Sequence, residues 1–464
     1  MVFSSLEFLF RFLPIVLLLY FVVPRRFKNV LLLAASLFFY AWGEPIYVAL
    51  MVISSATNFG LALAIDRYRG SKQANWAIGS SVVFSIGLLG FFKYADFLIG
   101  SLNDVVGTNF GLLDIPLPIG ISFYTFQILS YTIDVYRGKV AVQRNFVALA
   151  TYIALFPQLI AGPIVRYSAI AKELTHRTHS TEMFVDGVHR FVIGLAKKVL
   201  IANNIGLLWE ASVASSEPTV MLAWLGIVAF AFQIFFDFSG YSDMAIGLGR
   251  MLGFKYAENF NYPYIAQSVT EFWRRWHISL GQWFRDYVYI PLGGNRGSKL
   301  LWVRNVFIVW ALTGLWHGAS WNFVLWGLYF GVILMLERLL IGSMLLRIPV
   351  ALRHVYTLLL ILVSWVIFQV GVPSDIFEYL GNMFGLNGIE FTSAEVRYLF
   401  SNNWVLLILA VLGSVPLVRL VSERFAGRFT VRAVGLPVYY ATILVTSTAF
   451  LIDSSFNPFL YFRF

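Results

Sequence analysis

Two histidines stand out in a largely apolar chain, one within a charged, aromatic stretch and one at the end of an apolar run. His277 sits in TEFWRRWHISLGQWFRDY (270–287), together with Glu271, Arg274, Arg275, Arg285 and Asp286. His317 sits in TGLWHGASWNFVLWG (313–327), beside Trp316 and Gly318 and shortly before Asn322. A neutral imidazole can take a proton near pH 7, so a histidine kept out of bulk water is suited to general-base work. His317 ends the apolar run 306–316, and Gly314 and Gly318 flank it at a short step on either side. That spacing predicts a cavity beside a reactive ring; the plainer alternative is a histidine hydrogen-bonded within a helix bundle. Asp237 and Asp243, in FFDFSGYSDMAIGLGRMLGF (235–254), are expected to serve as structural polar groups paired with arginines of the 270–287 segment.

The elements that must carry these residues follow from periodicity. Placed on one helix, residues 271–286 gather Phe272, Trp273, Trp276, Leu280, Trp283 and Phe284 into an apolar arc. The polar residues fill the remainder, with Arg274, His277, Gly281 and Arg285 nearly in line, and Gly281 predicted to leave room beside His277. A lipid-exposed span with so many charges is implausible, since each central charge costs a few kcal/mol. Two forms remain: an interfacial helix with arginines on head groups, or a re-entrant helix lining a water-filled cavity. His277 beside Gly281 favours the re-entrant form. GGNRG (293–297) could cradle a phosphate, but a plain turn explains it as well. Gly249 and Gly253 fit small-residue helix packing.

The whole chain reads as an all-α polytopic membrane protein. Of its 464 residues 59% are hydrophobic and only 12% charged, half the charge content of a soluble domain. About 10–12 segments approach the length needed to span a bilayer, and none alternates apolar and polar residues as a barrel strand would. The net charge of +10 is distributed between spans, which fits topology better than nucleic-acid binding. With no cysteine in the sequence there is no thiol nucleophile, disulfide or cysteine metal site. The stretch 6–24 contains Arg11 and no small-residue cleavage site, so it is expected to be a retained first span. Basic groups at Arg25, Arg26, Lys28 and at Arg67, Arg69, Lys72 are expected inside, as are Arg338, Arg347, Arg353 and Arg424, Arg428, Arg432. The acidic connection 373–403 is expected outside. No internal repeat or low-complexity linker appears, so residues 1–464 are expected to form a single domain.

FWRRWHISLGQWFRDYVYIPLGGNRG (272–297) followed by TGLWHGASWNFVLWG (313–327) closely resembles the membrane-bound O-acyltransferase family, in its bacterial polysaccharide (alginate-type) O-acetyltransferase branch. MVFSS at the start, LPIGISFYTFQILSYTIDVYRG (117–138), FPQLIAGPIVR (156–166) and FFDFSGYSDMAIGLG (235–249) agree with it, and residues 1–340 carry the likeness best. The resemblance implies a ring of helices around a central tunnel in the bacterial plasma membrane. It implies acetyl-CoA as donor substrate, with no bound cofactor, and a hydroxyl of an exopolysaccharide as acceptor, reached directly or through an extracytoplasmic partner protein. The family's catalytic histidine matches His317, and its second chamber histidine matches His277. On this reading His317 is the general base, and His277 orients the acceptor or polarises the thioester carbonyl. Arg274 and Arg285 are candidates to steady the oxyanion or hold CoA phosphates, with Trp316 and Asn322 as further substrate-binding candidates. The alternatives are D-alanyl transfer to teichoic acid by the same fold, or a transporter of an acyl donor; the absence of a repeat counts against the transporter.

Overall fold

The computed structural model describes residues 1–425 and 434–453. Arg428, Arg432 and the closing segment SFNPFLYFRF lie outside the described residues. Within them every regular element is helical. Among the described residues nine helices are long and apolar enough to cross a membrane, Lys72–Val106 being the longest, and Phe8–Val22 is a shorter apolar helix. This follows from the sequence: lipid offers the backbone no hydrogen bonds, so a spanning segment must satisfy its own. Large apolar side chains such as Leu18, Trp76, Val83 and Val355 point outward, as a lipid-facing surface requires.

The chain divides into two compact units, Met1–Phe191 with Ser242–Ala257, and Val192–Tyr241 with Glu258–Phe464. In the first, the turn at Gly43-Glu44-Pro45 joins the helices Lys28–Ala41 and Tyr47–Arg67, with the amides of Gly43 and Glu44 both donating to the Tyr40 carbonyl. Polar side chains tie this unit together. Asn58 on Tyr47–Arg67 donates to Ser85 Oγ and accepts from Ser81 Oγ on Lys72–Val106, and Ser81 reaches Thr132 on Ile121–Tyr136. Such bonds help in a membrane protein because lipid contributes no hydrophobic drive between helices. The Arg190 guanidinium holds Asp243 at 2.6 Å here.

The second unit centres on an aromatic core that includes Trp276, Trp326, Phe330, Trp365 and Phe368. Its helices Lys299–His317 and Trp321–Leu336 form a tight antiparallel pair. A Cβ on Gly314 would lie 2.2 Å from the Phe323 carbonyl oxygen, and one on Gly327 would lie 2.3 Å from that of Trp310. These glycines let two backbones touch. Asp237 pairs with Lys198 at 2.6 Å. The expected arginine partners from segment 270–287 are therefore replaced, for Asp237 by Lys198 and for Asp243 by Arg190. Both cations lie in or just after the helix Thr181–Ala196, which runs alongside neither histidine in sequence.

Candidate active site

The polar segment is a broken helix. Val269–Arg275 forms one half and Ile278–Phe284 the other, with a π turn, Arg285–Tyr289, after them. Between the halves Trp276 is extended and His277 takes a left-handed conformation at φ 43°, ψ 53°. A non-glycine residue there is uncommon, although histidine tolerates it better than most, and such strain tends to persist where surrounding contacts over-determine it. The single continuous helix expected for 271–286 is thus corrected, and so is the straight row of Arg274, His277, Gly281 and Arg285.

Each half has its own anchor. Ser268 caps the first half by accepting from the Glu271 amide at 3.0 Å, and Glu271 returns a bond to the Gln267 amide at 2.9 Å. The arrangement is a variant of the capping box, with the carboxylate reaching the amide before the N-cap residue rather than that of Ser268 itself. The buried Glu337 carboxylate accepts from the amides of Val269 and Thr270 at 2.6 and 2.8 Å and from Thr270 Oγ1 at 2.6 Å. A carboxylate at a helix N-terminus meets both its unpaired amides and its positive dipole end. The Asn259 carbonyl accepts from the Ile278 amide at 3.0 Å, which holds the second half.

Asn259 also fixes the first histidine. Its Oδ1 accepts from the Ser279 amide at 3.2 Å and from Ser279 Oγ at 2.9 Å. A backbone N–H can only donate, so the atom facing it is the amide oxygen. His277 Nδ1, 3.2 Å from the same oxygen, must then carry the proton. Nε2 is left as the lone-pair nitrogen of the neutral ring. His277 is 1% exposed, and Phe238 meets its ring edge-on at a centroid distance of 4.7 Å. Burial, and then the neighbouring His317, hold His277 well below the usual histidine range, so the neutral ring is favoured.

His317, 5% exposed, is the last residue of Lys299–His317. Trp326, Trp316 and Phe368 surround it at centroid distances of 4.9, 5.1 and 5.5 Å, each ring steeply inclined to the imidazole. Trp316 also lies 5.8 Å from His277 and so neighbours both histidines. Residues far apart in sequence thus meet at one buried place. Two buried imidazoles at one place can accept a proton from a hydroxyl and orient it.

Several expected details differ. Gly318 does not open space beside His317, since a Cβ there would lie 2.1 Å from the Phe323 ring; with Gly314 it serves close packing. Gly281 is exposed and has nothing within 4 Å, so room at His277 does not depend on it. Arg274 is exposed, and exposed Arg285 grips Asp286 at 2.7 Å. Asn322, expected to bind substrate, instead donates to the Phe368 carbonyl at 2.9 Å and accepts from Ser320 Oγ. It therefore ties the start of Trp321–Leu336 to the end of Val350–Gln369, where Phe368 packs on His317. GGNRG is a turn: its three glycines have positive φ, and Asn305 donates to the carbonyls of Leu292 and Gly294. Asn259 and Glu337 were not legible as site residues. Asn259 lies in an irregular stretch without periodicity, and Glu337 reads as an ordinary charge at a helix end.

Helical spans, a broken polar helix and two buried histidines mark a multi-pass membrane protein with a buried polar site. Residues 35–372 match the family model of MBOAT, the membrane-bound O-acyltransferase family, and the chain belongs to that family as an O-acyltransferase. It is 41% identical to a probable alginate O-acetylase AlgI of Azotobacter vinelandii, with all of both chains covered. It is 48% identical to the protein of the same name in Pseudomonas aeruginosa, covering 80% of this chain and 72% of that one. A peptidoglycan O-acetyltransferase of Helicobacter pylori is 34% identical over 84% of this chain and 81% of its own.

Proposed function

We propose that the protein transfers acetyl from acetyl-CoA, taken from the cytoplasmic side, to hydroxyls of an extracytoplasmic polysaccharide of the alginate type. The observation that carries this reading is the meeting of His277 and His317 around Trp316 inside the second unit. The names of relatives that cover the whole chain support an acetyl group and a glycan acceptor over D-alanyl transfer.

His317 accepts the proton of the acceptor hydroxyl as its oxygen attacks the thioester carbonyl carbon. The resulting tetrahedral oxyanion collapses, the C–S bond breaks, and the thiolate takes the proton from the His317 imidazolium to leave as the CoA thiol. With no cysteine in the chain, no thioester acyl-enzyme forms on it, and direct transfer is the simplest course. His277, held by Asn259 with Nε2 as acceptor, orients the hydroxyl. Exposed Arg274 and Arg285 suit the CoA phosphates better than a buried oxyanion. An extracytoplasmic partner protein presents or receives the acetyl group.

The test is the purified protein in oriented vesicles, given acetyl-labelled CoA on one face and the glycan, with and without candidate partners, on the other. Label should reach an ester on the glycan only with donor on the cytoplasmic face. Equal transfer with donor on either face, or transfer of D-alanyl in place of acetyl, overturns the reading.

A further inference from the structure

In the first unit four basic groups converge at the end of the first apolar helix. Lys28 is only 9% exposed, and its Nζ lies 4.2 Å from the centre of the Tyr20 ring. Arg177 stands over the same ring at 5.8 Å and over Phe254 at 4.9 Å. Tyr20 Oη contacts His179 Nε2 at 2.9 Å and donates to the Leu252 carbonyl at 2.7 Å, which fixes the segment carrying Arg177. Arg25 completes the group, acting electrostatically on both Lys28 and His179.

Among the described residues no carboxylate pairs with this charge. Among the described residues none of the four makes an ion pair, and the groups acting on Lys28 are Arg177 and Arg25, both cations. Arg177 donates through one terminal nitrogen to Asn29 Oδ1, while the other, Nη1, is buried with no hydrogen-bond partner. Tyr256 Oη, on a 7% exposed side chain that feels the Arg177 charge, is likewise buried and unpartnered. Burial first, then Lys28, Arg177 and Arg25, depress the His179 imidazole below its ordinary value. Gathered cations with unfilled donors are costly unless an anion joins them, and a phosphate suits a guanidinium and an ammonium together.

The surroundings indicate where the anion comes from. Phe21, Val22, Phe27 and Val30 are large apolar residues exposed on the same stretch, as acyl-chain contacts would be. Arg25, Arg26 and Lys28 form a basic group of the kind found on the cytoplasmic side, where the leaflet is rich in anionic lipid. We propose that Lys28, Arg177, His179 and Arg25 bind the phosphate of an anionic phospholipid headgroup, with the acyl chains lying on the exposed apolar residues.

The full chain in detergent should be titrated with phosphatidylglycerol, with phosphatidylcholine and with inorganic phosphate, following thermal midpoint and lipid retention by native mass spectrometry. The expected result is a saturable gain with phosphatidylglycerol alone, its apparent affinity weakened tenfold or more by Arg177→Gln and by Lys28→Gln. Lys72→Gln, which removes a basic residue outside the cluster, should bind as the parent does. Equal gains with both lipids overturn the site, and so does a Lys72→Gln loss as large as that of Arg177→Gln. An equal gain with inorganic phosphate overturns the lipid as source. The comparison of lipids on the unaltered protein decides the matter even where a variant fails to fold. These readouts report binding, so they are independent of the acyl-transfer reading.

Discussion

His277 illustrates how one residue is set by its neighbours. The Ser279 amide orients the Asn259 carboxamide, Asn259 fixes the proton on Nδ1, and Nε2 becomes an acceptor. Asn259→Ala should therefore let the ring turn, and a misplacement of this kind costs about 10²-fold in rate; unchanged kcat/KM in a well-folded Asn259→Ala protein would contradict the orienting role. The depressed pKa of His277 has a stability consequence with a definite sign. The unfolded ring gains its proton near pH 6.5, whereas the folded ring stays neutral to lower pH. Stability from this group is thus complete above the unfolded value and declines as pH falls below it. His277→Asn should flatten the decline in thermal midpoint between about pH 7 and pH 5, and equal slopes in variant and parent would refute it. Both histidines were visible in the sequence, His277 in a charged stretch of an apolar chain and His317 at the end of an apolar run. Asn259 was not, because a side-chain acceptor in an irregular loop has no period and no motif.

At the level of elements, the break in the polar segment is the main departure from sequence expectation. Its apolar residues, among them Phe272, Trp276 and Trp283, are buried as the wheel placed them. The wheel assumed one axis, however, and the left-handed residue at 277 changes it. The start of the first half is held by Ser268 and by a carboxylate some way along the chain, Glu337, neither of which the wheel could place. Glu337→Ala leaves the amides of Val269 and Thr270 without their acceptor. Each buried amide so exposed costs about 1–3 kcal/mol, so the thermal midpoint should fall sharply, and more than for Glu337→Gln. Equal midpoints for the two variants would show that the carboxylate does not hold this helix. The glycines at 314 and 318 show the limit of spacing alone: a small residue beside a histidine reads as space, yet here Phe323 fills it.

For the whole molecule, composition alone was enough to assign membrane and helices, because length and hydropathy decide what can cross a bilayer. The nine long apolar helices among the described residues carry that reading. Sidedness rests on the distribution of arginine and lysine. The acidic connection between Val350–Gln369 and Ala394–Ser414 should face outside, and the basic stretch around Arg347 inside. In this cysteine-free chain, a membrane-impermeant thiol reagent applied outside should label Glu390→Cys and spare Arg347→Cys; the reverse pattern would invert the topology. The central claim, that His317 is the general base of a direct transfer, is tested most directly by the initial rate of CoA thiol release from His317→Ala with acetyl-CoA and acceptor present. The account predicts a fall of about 10²–10⁴-fold with the helical content unchanged. A well-folded His317→Ala protein that releases the thiol and forms the ester at the parent rate would contradict it.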